Sequence, residues 1–252
     1  MGAGMNSQRV TLISDLHGWL PELPGGDLLV IAGDFCPIKD HGIERQKSWV
    51  SGPFEEWLVA QPYENIVGIA GNHDFIAEGS EGSKILRSLS WEYLQDESRW
   101  IGGMKIWGSP WCAPCGRWAF MAGENDLESR WAEIPQDTDL VITHSPAHGW
   151  GDRVMSGERV GSETLFSRLQ EVRPALHVHG HIHEARASGR FPRGIPTINA
   201  SLLDERYEPW GWCWQLQMNQ QESVWQIGQI SEEPLRVPGT SLPESRRPRF
   251  HR

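Results

Sequence analysis

Ile66-Val67-Gly68-Ile69-Ala70, followed by Gly71-Asn72-His73-Asp74, is the stretch on which the reading of this chain turns. The first five residues are apolar or glycine and read as a buried strand. The polar quartet behind them then falls where that strand ends. Open α/β sheets gather their chemistry at the carboxyl ends of strands. On its own the quartet is equally a turn with a capped histidine. Recurrence gives it weight, because apolar runs ending in metal-ligand residue types repeat along the chain.

Toward the N-terminus, Val10-Thr11-Leu12-Ile13-Ser14 leads into Asp15-Leu16-His17-Gly18. An aspartate and a histidine two apart at a strand end can face one ion from the same side. Asp27-Leu28-Leu29-Val30-Ile31-Ala32 then runs into Gly33-Asp34, the continuous apolar pattern of a parallel strand covered on both faces. Residues from Glu44 to Ala60 read as helix interrupted at Gly52-Pro53. The strand-helix-strand order implies a right-handed crossover.

Toward the C-terminus, helices are expected over Ser83 to Leu89, Asn125 to Ala132 and Ser162 to Val172, the last stopped by Pro174. Short strands are expected at Trp91-Glu92-Tyr93-Leu94 and from Met104 to Trp107. Leu140-Val141-Ile142-Thr143 is a buried strand delivering His144, and Ala175 to His179 is another, leading into Gly180-His181-Ile182-His183-Glu184. His181 and His183 flank one residue, so both can point to one site. His177 and His179 lie inside their strand and read as packing or supporting residues. Thr197 to Ala200, Gly211 to Gln217 and Ser223 to Ile230 read as strands of a second sheet with antiparallel pairing.

The chain has 252 residues, enough for one large α/β core, with 38% hydrophobic residues and a net charge of -10. No apolar run approaches the roughly 20 residues that span a bilayer, and no basic-then-apolar leader opens the sequence. Met1-Gly2 begins like a myristoylation signal, but Asn6 stands where Ser or Thr is required. A cytoplasmic protein that neither enters membranes nor binds polymeric nucleic acid is the expectation, since an acidic surface repels phosphate chains. The division expected is a loose leader over 1–8, one domain over 9–231 and a Pro- and Arg-rich tail over 232–252.

Four cysteines do not make a disulfide framework. Cys112-Ala113-Pro114-Cys115 has the spacing of a thiol redox motif, but Gly116-Arg117-Trp118 is a poor helix start. Without a helix N-terminus the first thiol lacks its usual activation. The pair reads as a tight aromatic loop with reduced thiols. Trp111, Arg117 and Trp118 are candidates to line a substrate pocket, with an aromatic core as the alternative.

Collected in order, the strand ends supply Asp15, His17, Asp34, Asn72, His73, His144, His181 and His183. Mixed imidazole, carboxylate and amide donors suit Mn, Fe, Zn or Ni better than Ca or Mg. The set is too large for one tetrahedral ion, so a two-metal hydrolytic centre follows, with ions ~3.5–4 Å apart. The order Asp-x-His, Gly-Asp, Gly-Asn-His-Asp, His, Gly-His-x-His resembles the calcineurin-like metallophosphoesterases from Asp15 to His183.

That resemblance implies a four-layer α/β/β/α sandwich of two mixed sheets between helices. It also implies that Asp15, His17, Asp34 and His183 hold one divalent ion. Asp34, Asn72, His144 and His181 would hold the other, with Asp34 as the bridge. By the same resemblance the nucleophile is a hydroxide shared by the ions, His73 is the catalytic imidazole and Asp74 is its orienting partner.

Tyr93-Leu94-Gln95-Asp96, Ile106-Trp107-Gly108-Ser109-Pro110-Trp111, Trp118-Ala119-Phe120 and Thr143-His144-Ser145-Pro146 narrow the resemblance to the metallophosphoesterase-domain (MPPED-type) subgroup. Small phosphodiesters, cyclic nucleotides among them, are the substrates this implies. A phosphomonoesterase of the same fold and a non-catalytic scaffold are the alternatives. After Gly33-Asp34 comes Phe35-Cys36-Pro37, without the Asp-Arg-Gly continuation of protein Ser/Thr phosphatases.

Overall fold

The computed structural model describes residues 6–39, 41–191 and 194–235. Twelve strands form two six-stranded mixed sheets, among the described residues. In the first, β1 (Ser7–Ile13), β2 (Gly26–Ala32), β3 (Tyr63–Ile69) and β4 (Glu92–Tyr93) are successive parallel neighbours. On the other flank of β1 lie β11 (Trp212–Gln221) and β12 (Val224–Pro234), both antiparallel.

The second sheet runs β5 (Glu97–Ile101), β6 (Met104–Ser109), β7 (Leu140–Thr143), β8 (Leu176–His179), β10 (Pro196–Asn199), β9 (Ser188–Arg190). Its four central strands are parallel and both edges antiparallel.

Strand alternation sorts the apolar residues into three cores. Val10, Leu12, Leu28, Val30 and Val67 of the first sheet meet Ile106, Leu140, Ile142, Val178 and Ile198 of the second. The opposite face of the first sheet, with Ile13, Leu29 and Ile31, packs on Val50, Phe54, Trp57 and Leu86. These belong to the turn that follows α1 (Ile43–Trp49), to α2 (Glu55–Ala60) and to α3 (Ser80–Ser88). The outer face of the second sheet, with Trp107 and Val141, packs on α4 (Glu124–Trp131) and α5 (Glu163–Val172) through Leu127, Trp131, Leu165 and Leu169. Two sheets between two helical layers are the four-layer α/β/β/α sandwich expected from the sequence. Ser162 caps α5, its hydroxyl accepting from Leu165 N, and Arg173 closes the helix in the left-handed region.

Two expectations need correction. The C-terminal strands do not form a second antiparallel sheet: β10 joins the second sheet parallel to β8, while β11 and β12 extend the first. Local strand patterning carries no information about which edge a strand joins. Gly52-Pro53 does interrupt the α-helix, as expected, because Val50–Phe54 widens into a π-helical turn between two α-helical segments. Such a turn tolerates the missing N–H and the ring of Pro53, which would otherwise clash with the preceding turn. The strand β5 was also missing from the reading, since Glu97-Ser98-Arg99-Trp100 lies on a sheet edge and is largely polar.

At the chain ends, β1 begins at Ser7 and β12 runs through Pro234, reaching into both expected flanking segments. The remainder of the Pro- and Arg-rich stretch, from residue 236 onward, lies outside the described residues. No helix among the described residues is long and apolar enough to cross a membrane.

Candidate metal centre

The carboxyl ends of β1, β2, β3, β7 and β8 converge, and each delivers its motif to the same place. Asp15 and His17 follow β1, Asp34 follows β2, Asn72 and His73 follow β3, His144 follows β7, and His181 and His183 follow β8. Asp15, His17, Asp34 and His181 have φ of 55°, 45°, 55° and 70°. Left-handed backbone at non-glycine residues is uncommon and costs energy, and it concentrates at functional sites. The glycines explain how the loops come so close. A Cβ on Gly71 would lie 2.6 Å from Asp34 N and 2.7 Å from His144 Cε1, and would overlap Asp34 Oδ1. One on Gly180 would overlap Ser14 Oγ and Asp15 Oδ2. Glycine at both positions is what lets separate strand ends meet.

Asp34 lies between two histidines of the cluster. Asp34 Oδ2 lies 3.6 Å from His17 Nε2 and 3.3 Å from His144 Nε2. On one side His183 Nε2 is 3.3 Å from Asp15 Oδ1 and 3.3 Å from His17 Nε2. On the other, Asn72 Oδ1 is 2.9 Å from His144 Nε2 and 2.8 Å from His181 Nδ1. All seven expected ligands are therefore brought together. Asp15 is fully buried and Asp34 is 2% exposed.

The surroundings aim the rings. His144 Nδ1 donates to Ala32 O at 2.8 Å and His183 Nδ1 to Asp204 O at 3.0 Å, leaving each Nε2 turned inward. Ser201 Oγ donates to Asp15 Oδ2 at 2.7 Å, and the backbone N–H of His73 donates to Asp34 Oδ1 at 2.7 Å. The His181 N–H also reaches both oxygens of Asp15, at 3.1 and 3.0 Å.

Electrostatics describe a site that needs added positive charge. Burial alone would raise both carboxyls, but His183 beside Asp15 and His144 beside Asp34 hold them below the usual carboxylate range. Burial opposes charge on His144 and His183 as well, yet Asp34 and Asp15 respectively raise them to about 9. Burial lowers His17 to about 4. Burial, with His144 beside it, lowers His181 to about 3. At neutral pH the metal-free cluster is neutralised by two protons, held where cations would sit. Imidazoles able to give up those protons, ionised carboxylates and an amide oxygen fit divalent transition ions, and the anchored far ring atoms fit them too.

His73 stands beside this cluster. Its ring lies 4.9 Å edge-on from His17 and 4.2 Å from Trp118, and burial lowers its pKa. Asp74 is not its partner. The Asp74 carboxylate accepts from Gly71 N at 2.7 Å and Cys36 N at 2.8 Å, tying the quartet to the Gly33-Asp34 loop. The residue adjacent to a histidine in sequence points elsewhere in this turn, so adjacency misled. The ring nitrogen Nδ1 instead meets His41 Nε2 at 3.3 Å.

A cavity of about 350 Å³ opens over the cluster, lined by Asp34, Asn72, His73, Cys115, Trp118, His181, His183, Glu184, Glu205 and Tyr207. Of the three substrate candidates only Trp118 lines it. Its loop is held in place by Ala119 N donating to Asn72 O at 3.0 Å. Trp111 is a packing residue. Its Nε1 donates to Asp96 at 2.9 Å, Arg130 lies 3.5 Å over its ring, and Phe120 meets it edge-on. Arg117 is exposed and is not among the lining residues.

Tyr207, edge-on to His17 and His183 at 5.1 Å each, was missed by sequence reading. Its turn is built by Asp204, whose Oδ1 accepts from Arg206 N and Glu208 N. An Asx-type turn was legible there, but its distance from the metal motifs hid its place. His177 is tied between Thr143 and Thr197 and stacks on His179, both buried outside the ligand set. The cysteines are all free, and burial raises the thiols of Cys112 and Cys115, which argues against redox catalysis.

Comparison with known proteins agrees with this geometry. The family model described as calcineurin-like phosphoesterase matches residues 8–185. Metallophosphoesterase domain-containing protein 1 of Homo sapiens is 34% identical over 230 residues, covering 80% of this chain and 68% of its own length. A UPF0046 protein of Caenorhabditis elegans is 32% identical over 233 residues, covering 81% of this chain and 80% of its own. The solved structure of the calcineurin-like phosphoesterase YfkN from Bacillus subtilis shares the fold, with a TM-score of 0.53 at 13% identity over 91% of each chain. Motif order, converging donors and sequence likeness together place this chain in the calcineurin-like phosphoesterase family, metal-using hydrolases of phosphoesters.

Proposed function

We propose that the protein hydrolyses small phosphodiesters, cyclic nucleotides being one candidate class, with two divalent transition ions bound around Asp34. The carrying observation is the shared carboxylate. Asp34 Oδ2 faces His17 Nε2 at 3.6 Å on one side and His144 Nε2 at 3.3 Å on the other. Asp15, His17, Asp34 and His183 would hold one ion; Asp34, Asn72, His144 and His181 would hold the other. When bound, the ions would supply Lewis-acid polarisation of the phosphoryl oxygens and an activated water at neutral pH.

The chain's own groups supply the rest. His73 lies beside the cluster and is the group placed to give a proton to the departing oxygen. Trp118 and Tyr207 wall the cavity. No lysine or arginine lines it among the described residues, while Glu184 and Glu205 do. A diester carries one negative charge at the phosphate where a monoester approaches two. A pocket whose side chains offer no further cation therefore favours the diester.

The test is hydrolysis of bis(p-nitrophenyl) phosphate with manganese or nickel added to metal-stripped protein. The reading expects metal-stimulated turnover that Asp34→Ala and His73→Ala each reduce at least about 100-fold. Unchanged turnover in both variants ends it.

A further inference from the structure

We propose that His41 is a positioning residue that fixes the His73 ring and selects its Nε2–H tautomer, an inference that rests on the phosphoesterase reading above. His41 lies in the segment between the Gly33-Asp34 loop and α1, far in sequence from the quartet it serves. Its Nε2 is 3.3 Å from His73 Nδ1. Its ring also packs edge-on against Trp118 at 5.1 Å and tilted against Phe75 at 5.3 Å.

His73 is then restrained on every side that can be named. Trp118 covers a face, His17 meets an edge, Gln46 Nε2 donates to the His73 carbonyl at 2.8 Å, and its backbone N–H is held by Asp34. These contacts fix the backbone and the ring plane. They do not decide which ring nitrogen carries the proton.

That choice follows from the partner of Nδ1. A neutral imidazole has one N–H and one acceptor nitrogen, and the hydrogen bond at one nitrogen dictates the state of the other. When His41 Nε2–H donates, His73 Nδ1 is the acceptor and Nε2 carries the hydrogen toward the cavity. A leaving alkoxide needs that N–H: its oxygen gains a hydrogen bond, then the proton, as the P–O bond breaks, and water returns a proton to the ring so that His73 ends neutral. Asp74, turned toward Gly71 and Cys36, cannot do this. With a carboxylate at Nδ1 the neutral ring would be a donor there and would present a bare Nε2. With His41 as the donor of that pair, the neutral His73 ring keeps its N–H on Nε2.

The experiment compares two substitutions at one position. His41→Phe keeps an aromatic ring against Trp118 and Phe75 but removes the donor, whereas His41→Gln restores an N–H donor. Metal-loaded protein is assayed on an alkyl p-nitrophenyl phosphodiester and on a dialkyl phosphodiester. The p-nitrophenolate leaves without help; the alkoxide does not. The inference expects His41→Phe to lower kcat for the dialkyl ester about 100-fold. It expects less than about threefold change in KM or in p-nitrophenolate release, with His41→Gln recovering most of the loss.

Equal losses on both esters, or no rescue by glutamine, would overturn it and mark His41 as a purely structural residue. A wild-type protein inactive on both esters would count against the phosphoesterase reading instead. Proton–nitrogen correlation of the imidazoles in metal-free protein then decides the inference independently. One Nε2–H tautomer for His73 in wild type and His41→Gln, and mixed tautomers in His41→Phe, support it. Identical His73 spectra in all three overturn it.

Discussion

Loading the centre with metal should drive protons off the protein, and the number can be worked out from the structure. In metal-free protein His144 and His183 lie near 9, because Asp34 and Asp15 outweigh the opposing effect of burial. Both are therefore protonated at pH 7, while burial keeps His17 and His181 neutral, near 4 and 3. An ion can use Nε2 of His144 and His183 only after those two protons leave.

Asp74, raised to about 7 by burial and by Asp34, adds at most a fraction of a proton. Each displacement at pH 7 costs about 3 kcal/mol, two pH units at about 1.4 each, so affinity should rise about 10⁴-fold from pH 7 to well above pH 9. Calorimetric titration of metal-stripped protein in buffers of different ionisation enthalpy counts the protons. About two should be released at pH 7 and about one near pH 9, where each histidine is half protonated. No release at pH 7 would refute the reasoning.

The same shifts give a stability signature. A histidine whose pKa is raised on folding stabilises fully below its unfolded value near 6.5, and that contribution is lost as pH rises through about 9. Metal-free protein should thus lose stability from pH 6.5 to 9 while metal binding tightens, so the rise in Tm on adding metal widens across that window.

Two further substitutions test the packing behind the site. Gly71→Ala would place a Cβ 2.6 Å from Asp34 N, where ordinary contact begins at 3.4 Å, so Asp34 must shift. Metal affinity should fall about 100-fold and stability by about 1–3 kcal/mol, and wild-type metal binding would contradict the close-approach argument. Gln46→Leu should cost about 2–4 kcal/mol in chemical unfolding, because it strips the His73 carbonyl and the Ile76 N–H of the partners Gln46 gives them at 2.8 and 2.9 Å. An unchanged unfolding midpoint would show that water replaces both bonds.

The sequence shows its metal ligands plainly because each sits one to four residues past a buried strand, where local patterning and chemistry coincide. Asp15, Asp34, Asn72, His144 and His183 are of this kind. What supports them is not legible, because it depends on pairings between distant segments. Gln46 on a helix, His41 in a loop and Tyr207 in a later turn carry no local sign of the site they reach. Asp74 and Trp111 show the converse error. Each lies beside a functional motif, but Asp74 is consumed by backbone donors and Trp111 by Asp96 and Arg130. The sheet to which β11 and β12 belong was hidden for a related reason, since an antiparallel ribbon reads alike on either edge.

Metal content measured after equilibrium dialysis, on wild type and Asp34→Ala side by side, tests most directly whether one carboxylate serves both ions. Two divalent ions per wild-type chain, with less than one retained by the folded variant, is the predicted result. A variant that still holds two, or a wild type that saturates at one, would contradict it.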